Sequence, residues 1–212
     1  MTALTVSQKM DELVRRYIHP PLKEMGFVRR SRTWNREAGG MIDVINLQTS
    51  RWNEQSSGSF TINCGVFVPS IYTICWGKNA PSFPKEEDCL VRTRVGSLMT
   101  QGVRNQQKDF WWDLDSNTNL DVLGGSLRAL LLEKVLPFLN QFDSLNLIRA
   151  WWKKQGGWEV RTPLGLISLA IIEHQLGSDA DAKELLEDLS KQRNTLWKKR
   201  VLEVSARLGI QL

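Results

Sequence analysis

The sequence is poor in the residues and motifs on which most enzyme sites depend. Only two histidines and three cysteines occur among 212 residues, and neither histidine lies in an H-x-H or H-E-x-x-H context. The cysteines have neither CxxC nor zinc-ribbon spacing, which argues against a metal site and a disulfide framework. No phosphate loop, dinucleotide fingerprint or nucleophile elbow is present. The sequence therefore predicts a protein that is not an enzyme and that uses no metal or cofactor.

Long apolar runs are also missing, and with them the segments that direct a chain to or through a membrane. No run reaches the roughly 18 residues that a spanning helix needs. The N-terminal residues lack the apolar stretch of a secretory signal. Together with the odd number of cysteines, these features predict a cytoplasmic protein that has no membrane partner.

Tryptophan and positive charge are what the sequence has in excess. It contains nine tryptophans and has a formal net charge of +5. A hydrophobic fraction of 42% is sufficient for a packed core, so we expect a folded protein. The charge favours an acidic partner or nucleic acid.

Hydrophobic periodicity predicts an α+β fold: an N-terminal helix, an antiparallel β-meander of about four to five strands, and a C-terminal helical bundle. The N-terminal helix should begin near a cap at Ser7 and be interrupted at Pro20–Pro21. Residues 70–90 are expected to be irregular. We divide the chain into an α+β domain at residues 1–142 and a helical extension at residues 143–212, packed on the first domain. The predicted strands are residues 29–37, 41–52, 60–68, 90–98 and 110–114, and the later helices are residues 122–142, 145–154, 164–176, 179–192 and 194–208.

The first hairpin carries an unusual number of arginine, amide and tryptophan side chains. A three-residue loop at residues 38–40 would pair Glu37 with Met41. That register would place three cross-strand pairs on one sheet face, namely Arg30 with Gln48, Arg32 with Asn46, and Trp34 with Val44.

Because arginine, asparagine and glutamine are weak strand formers, their presence here requires a reason. Forked arginine donors and amides can bind carboxylates, phosphates or a partner's loop. The alternatives are that this face is simply hydrated, or that its polar groups bond to a crossing loop. The predicted partner-binding residues are Arg30, Arg32, Trp34, Arg36, Asn46, Gln48, Asn63, Arg92, Arg94 and Trp112.

A second hypothesis is a nucleic-acid-binding module. Adjacent aromatic and basic residues suit the stacking and charge that single-stranded nucleic acid requires. The residues are Trp151, Trp152, Lys153 and Lys154, with Trp158 nearby. The alternative for this segment is an amphipathic helix rimmed by lysines. A third hypothesis is an enzyme that uses Asp109, Asp113 and Arg94 in a cleft.

Six motifs occur in a specific order between residues 26 and 112: G-F-V-R, R-T-W-N-R, V-I-N-L-Q-T-S, F-T-I-N-C-G-V, R-T-R-V-G and W-W. Together they resemble a bacterial family of domains of unknown function, over roughly residues 10–139. The resemblance implies an α+β fold and no established catalytic residues. Such domains are similar to small proteins encoded near bacterial toxin genes, some of which are immunity proteins. The resemblance therefore implies an intracellular immunity protein that binds and occludes a cognate toxin.

Overall fold

The computed structural model describes residues 4–99, 109–155, 162–191 and 195–212. Within these ranges, six strands form one antiparallel sheet, and helices precede and follow it. This architecture confirms the predicted α+β class. The strands are β1 Val28–Arg30, β2 Thr33–Ala38, β3 Met41–Thr49, β4 Gly58–Phe67, β5 Val91–Arg94 and β6 Trp112–Leu114.

The helices differ in length and include several short segments. In chain order they are α1 Val6–Leu13, α2 His19–Glu24, α3 Pro69–Trp76, α4 Val95–Met99, α5 Leu120–Leu130, α6 Leu136–Leu139, α7 Leu145–Gln155, α8 Pro163–Gln175, α9 Asp179–Ser190 and α10 Thr195–Leu208. The combination of length and apolarity needed to cross a membrane is found in none of the helices that the structure describes.

The chain divides into two compact units. The first comprises residues 1–67 and 83–141 and contains the sheet, whereas the second comprises residues 68–82 and 142–212. The sheet order in the first unit is β1-β2-β3-β4-β5, and β6 pairs with the first residues of β4. β1 is therefore at one edge of the sheet, and its three residues are all exposed.

The N-terminal helix begins at a capping box that differs from the predicted cap. Thr5 Oγ1 accepts a bond from the Gln8 backbone N–H at 3.3 Å, and Gln8 Oε1 accepts one from the Thr5 N–H at 2.9 Å. The T-x-x-Q pattern satisfies two donors that a helix start leaves unpaired. The cap is therefore Thr5, two residues before the predicted cap at Ser7.

Both long helices of the first unit contain a π segment that ends two residues before a proline. Val14–Ile18 joins α1 to α2, and Leu131–Val135 joins α5 to α6. A proline ring would clash with the carbonyl four residues earlier in a regular α-helix, and the wider π turn relieves that clash. The chain consequently stays helical through Pro20–Pro21, where the sequence predicted an interruption.

Two tight hairpins at the start of the sheet also differ from the prediction. Ser31–Arg32 separates β1 from β2, where one continuous strand was expected. β2 and β3 are joined by Gly39–Gly40 alone, because Ala38 pairs with Met41. Both glycines have positive φ, 58° and 77°, as a two-residue type I′ turn requires. The register is thus one residue away from the predicted one, and such a shift exchanges the two faces of a strand.

One face of the sheet forms the core of the first unit. Its residues include Trp34, Ile45, Phe60 and Ile62, all of which are buried. The indole Nε1 of Trp34 donates a hydrogen bond to His19 Nδ1 at 3.3 Å, which links this face to α2. The opposite face carries the polar side chains considered below.

The second unit is organised around α8. This helix is apolar on nearly all sides, as its sequence LGLISLAII indicates, and it contacts α3, α7, α9 and α10. Its buried Glu173 pairs with Arg149 and Lys153 of α7, at 2.9 and 2.7 Å. A carboxylate can be buried in such a core because these two cations accompany it.

α3 replaces the irregular segment that the sequence predicted for residues 70–76. Pro69 occupies the first turn of the helix, and Gly77 ends it in the left-handed conformation with φ of 65°. Proline is common in the first turn of a helix, and glycine is common directly after its last residue. That signal was present in the sequence and would have identified α3.

Candidate functional site

A row of polar side chains runs across five strands on the sheet face opposite the core. The strand registers pair Arg30 with Thr33, Thr33 with Asn46, Asn46 with Asn63, and Asn63 with Arg94. We call Arg30, Thr33, Asn46, Asn63 and Arg94 the polar row. Gln48 and Arg92, two residues along their strands from members of the row, lie on the same face. Six predicted partner-binding residues are therefore brought together: Arg30, Asn46, Gln48, Asn63, Arg92 and Arg94.

Hydrogen bonds connect the side chains at the β4–β5 end of the polar row. Asn63 Nδ2 donates to Gln48 Oε1 at 2.8 Å, and Arg94 Nε donates to Asn63 Oδ1 at 3.0 Å. Arg94 Nη2 also donates to Gln48 Oε1 at 3.2 Å, and Arg94 Nη1 binds Asp109. Because three of its nitrogens have acceptors, the guanidinium of Arg94 is fixed in position. Gln48 and Asp109 are the exposed members of this network.

Segments that cross the polar face use several of its groups internally. Asn35 Nδ2 donates to the carbonyl of Pro84 at 3.1 Å, and Thr61 Oγ1 donates to the carbonyl of Phe110 at 2.8 Å. Further contacts pair Arg92 with Glu86 at 2.7 Å and stack Arg30 over the ring of Phe83 at 4.6 Å. Bonding to crossing loops thus accounts for part of the polar content of these strands.

Four predicted residues lie elsewhere, because the register differs from the expected one. Trp34 and Arg36 are on the core face of β2, and Trp112 stacks on Phe60 of the same face with ring centroids 5.2 Å apart. Arg32 is in the β1–β2 turn, and its Nη2 lies 3.3 Å from the carboxylate of Asp11. The assignment of Trp34, Arg32 and Arg30 to one face was wrong.

Trp52 is the most exposed tryptophan among the residues that the structure describes, and it is not one of the predicted binding residues. It lies on the β3–β4 loop, its side chain is 78% exposed, and Arg51 stacks over its ring at 4.9 Å. A tryptophan in a polar, Gly/Ser-containing loop between two strands was the available signal. Loop residues more often carry binding functions than strand residues do.

The loop that carries Trp52 is held by several hydrogen bonds. Asn53 bonds the backbone of Ser59 in both directions, at 3.1 and 2.7 Å, and Ser50 N–H donates to the Ser59 carbonyl at 2.9 Å. The Trp52 N–H donates to Ser50 Oγ at 3.1 Å, which closes a small turn at the tip. The backbone that presents this indole is therefore constrained.

The titratable groups of the described residues show no activated nucleophile. Burial raises the pKa of all three thiols, that of Cys75 to about 11 and those of Cys64 and Cys89 well above the ordinary value. A raised pKa keeps a thiol protonated and unreactive at neutral pH. Among the described residues, no three His, Cys, Asp or Glu side chains are grouped to hold a metal ion. Asp109 pairs with Arg94, and its carboxylate also accepts a bond from Trp111 Nε1 at 2.9 Å.

The residues predicted for nucleic-acid binding do not form one exposed surface. Trp152 is buried, and Trp151 packs edge-on against Phe142 with ring centroids 5.4 Å apart. Lys153 and Lys154 are both exposed, although Lys153 also pairs with the buried Glu173. Trp158 lies outside the described residues. Of these four side chains, one indole is therefore buried in the second unit and one ammonium is engaged in an ion pair.

Comparisons with known proteins bear on the first unit. The model of a family described as Domain of unknown function (DUF4304) matches residues 18–141, which is more than half of the chain. The matched range includes the six strands, the polar row and Trp52. No curated protein and no solved structure matches the chain. The resemblance to a family of domains of unknown function is confirmed at that level.

Proposed function

We propose that this chain, which belongs to the DUF4304 family, is a non-catalytic protein that binds a protein partner. The finer proposal is an immunity protein of the bacterial cytoplasm that neutralises a cognate toxin by occluding it. The observation that carries the proposal is Trp52, a residue 78% exposed on a constrained loop that follows β3 in the chain.

An exposed and constrained tryptophan suits a protein interface for two reasons. A tryptophan side chain buries on the order of 200 Å² in a complex, and such residues supply a large share of interface binding energy. A loop that is already ordered loses little conformational entropy on binding. Neither reason depends on a chemical reaction at the site.

The polar face supplies the groups that would select the partner. β3 leads from Asn46 and Gln48 directly into the Trp52 loop, so the amides and the indole belong to one continuous segment. Gln48 is held by Asn63 and Arg94, which fixes the direction of its exposed amide. A hydrophobic anchor next to oriented hydrogen-bonding groups is the usual composition of a specific interface. Occlusion of the toxin's active cleft would then be steric.

The experiment is co-expression with the toxin encoded by the adjacent gene. The wild-type chain should restore growth of cells that produce the toxin, and the two purified proteins should form a stoichiometric complex. Trp52→Ala should weaken this complex by about 2 kcal/mol or more, roughly thirtyfold in Kd, and should reduce protection. Val122→Ala is the matched control, because Val122 is an apolar residue of the same unit with 67% exposure.

Three results would reject the proposal. The first is the absence of any complex with the adjacent gene product. The second is an equal Kd for the Trp52→Ala and Val122→Ala variants, which would show that Trp52 does not anchor the partner. The third is tight binding of single-stranded RNA or DNA that falls steeply with salt and requires Trp52, which would favour the nucleic-acid hypothesis instead.

A further inference from the structure

A groove at the free edge of the sheet has the composition of an anion-binding site. Its volume is about 660 Å³, within the range of small-molecule sites. It lies between the C-terminal part of the N-terminal helical region and β1, and it is not part of the surface that contains Trp52. The described lining residues are His19, Lys23, Gly26, Phe27, Val28, Arg29 and Ser31, none of which is acidic.

The two cations of the groove have donors available for a ligand. Lys23 is exposed, and no described carboxylate lies within ion-pair distance of it. Arg29 Nε donates to the carbonyl of Ser31 at 2.6 Å, and its guanidinium lies 5.7 Å from the centroid of the Trp34 ring. These contacts fix the arginine over the groove while its terminal nitrogens have no acceptor among the described residues. A planar guanidinium with two such nitrogens suits bidentate binding of an oxyanion.

His19 adds a neutral donor to the same groove. Its Nδ1 accepts the hydrogen bond from Trp34 Nε1 at 3.3 Å, so the proton of the neutral imidazole is on Nε2. Burial, together with the positive charges of Arg29 and Lys23, lowers the pKa of His19. A bound anion would offset those charges and raise the pKa of His19 again. The pKa of His19 can therefore report the binding of an anion in the groove.

Apolar atoms form the rest of the lining. Phe27 is buried beneath the groove. Val28 borders the groove, but it pairs with Asn35, so its side chain lies on the sheet face opposite that of Arg29. A ligand that fits both parts carries an oxyanion group and an apolar body. We propose that this groove binds a small ligand of that class, with a carboxylate or phosphate held between Lys23 and Arg29 and the apolar body on the Phe27 side of the groove.

The experiment uses the full chain and nuclear magnetic resonance of the histidine rings. The chain has two histidines, so a His174→Gln variant assigns the His19 signal. The probes are phenyl phosphate and benzoate, which distinguish the two anionic groups, and benzyl alcohol as the uncharged control. Both anions should shift the His19 signal saturably and raise the pKa of His19. The more tightly bound probe identifies a phosphate or a carboxylate as the preferred group.

Charge-removing variants test the contacts. Lys23→Gln combined with Arg29→Gln should weaken binding of either anion by about tenfold or more, as expected for lost bonds to a charged group. Arg15→Gln combined with Lys191→Gln removes the same net charge from exposed positions elsewhere and should leave binding unchanged. Each of three results would overturn the proposal: no saturable shift at His19, an equal response to benzyl alcohol, or equal weakening by both double variants.

Discussion

The ion pair between Arg36 and Asp43 should be the most sensitive electrostatic contact of the sheet. The two residues are directly opposite each other on β2 and β3, and Arg36 Nε and Nη2 donate to Asp43 Oδ2 at 3.0 and 2.6 Å. The Asp43 side chain is 2% exposed and that of Arg36 is 18% exposed. Removal of the arginine would leave a buried carboxylate without a counter-charge.

We expect Arg36→Met to destabilise the first unit by about 3 kcal/mol near neutral pH. The value is the lower end of the range for breaking a buried pair, because Arg36 retains some contact with solvent. Part of the loss would come from two further contacts of the guanidinium. Arg36 bonds Asn140 Oδ1 at 2.7 Å and lies over the Phe27 ring at 4.8 Å.

The penalty should depend on pH in a defined direction. Burial raises the pKa of Asp43, and Arg36 opposes that rise. A carboxyl group whose folded-state pKa exceeds its unfolded value favours the folded state when protonated, and that stability is lost as the pH rises through the folded pKa. Without Arg36 the folded pKa rises further, so the variant should recover stability between about pH 7 and about pH 4. Asp43→Asn in the Arg36→Met background should recover much of it at neutral pH.

Hydrogen exchange of the β3 amides is the appropriate assay, because it reports the opening of the sheet separately from the second unit. Arg15→Met is the control, since Arg15 makes an exposed pair with Glu12 and should give no measurable change. A loss below about 1 kcal/mol for Arg36→Met would refute the reasoning. If Arg36→Met lowers the free energy of unfolding equally at about pH 7 and about pH 4, the Asp43 charge does not cause the loss.

Two further predictions concern packing and thiol reactivity. Gly124→Ala should lower stability by about 1–3 kcal/mol, because its Cβ would lie 2.1 Å from Tyr17 Cδ2. Gly125→Ala, whose Cβ meets no atom within 4 Å, should instead add about 0.5–1 kcal/mol in the same thermal melts; equal losses would contradict the prediction. The three buried thiols should resist iodoacetamide at about pH 8 in the native protein and react after denaturation, as counted by mass spectrometry. Rapid labelling before denaturation would show that the thiols are accessible.

Several elements were predictable because their signals are local. The alternation of apolar residues in β4 and the apolar run of α8 predicted a strand and a buried helix, and both are present. Pro163 and Gly177 marked the ends of α8 in the same way that Pro69 and Gly77 mark those of α3. Local chemistry also explains the polar loop between β3 and β4. Such features depend on neighbours within a few residues, which the sequence displays directly.

The register of the first hairpin shows where local reasoning stops. Gly39 and Gly40 are compatible with a β2–β3 loop of either two or three residues. The loop length decides on which sheet face every side chain of β2 lies. Only the pairing of Arg36 with Asp43, a contact between strands, distinguishes the two registers by charge. Arg30, Asn46 and Gln48 do share one sheet face, as the sequence predicted, whereas Trp34 lies on the opposite face.

The sequence by itself determined the α+β class, most of the helices and strands, and the polar character of one segment of the sheet. The tertiary structure decided which polar groups share a face, which of them bond to crossing loops, and how far each described tryptophan is exposed. It also decided that residues 68–82 belong with the C-terminal helices. The reason is that burial and pairing depend on contacts between residues distant in sequence, whereas periodicity records only the preference of each residue for water or for the core.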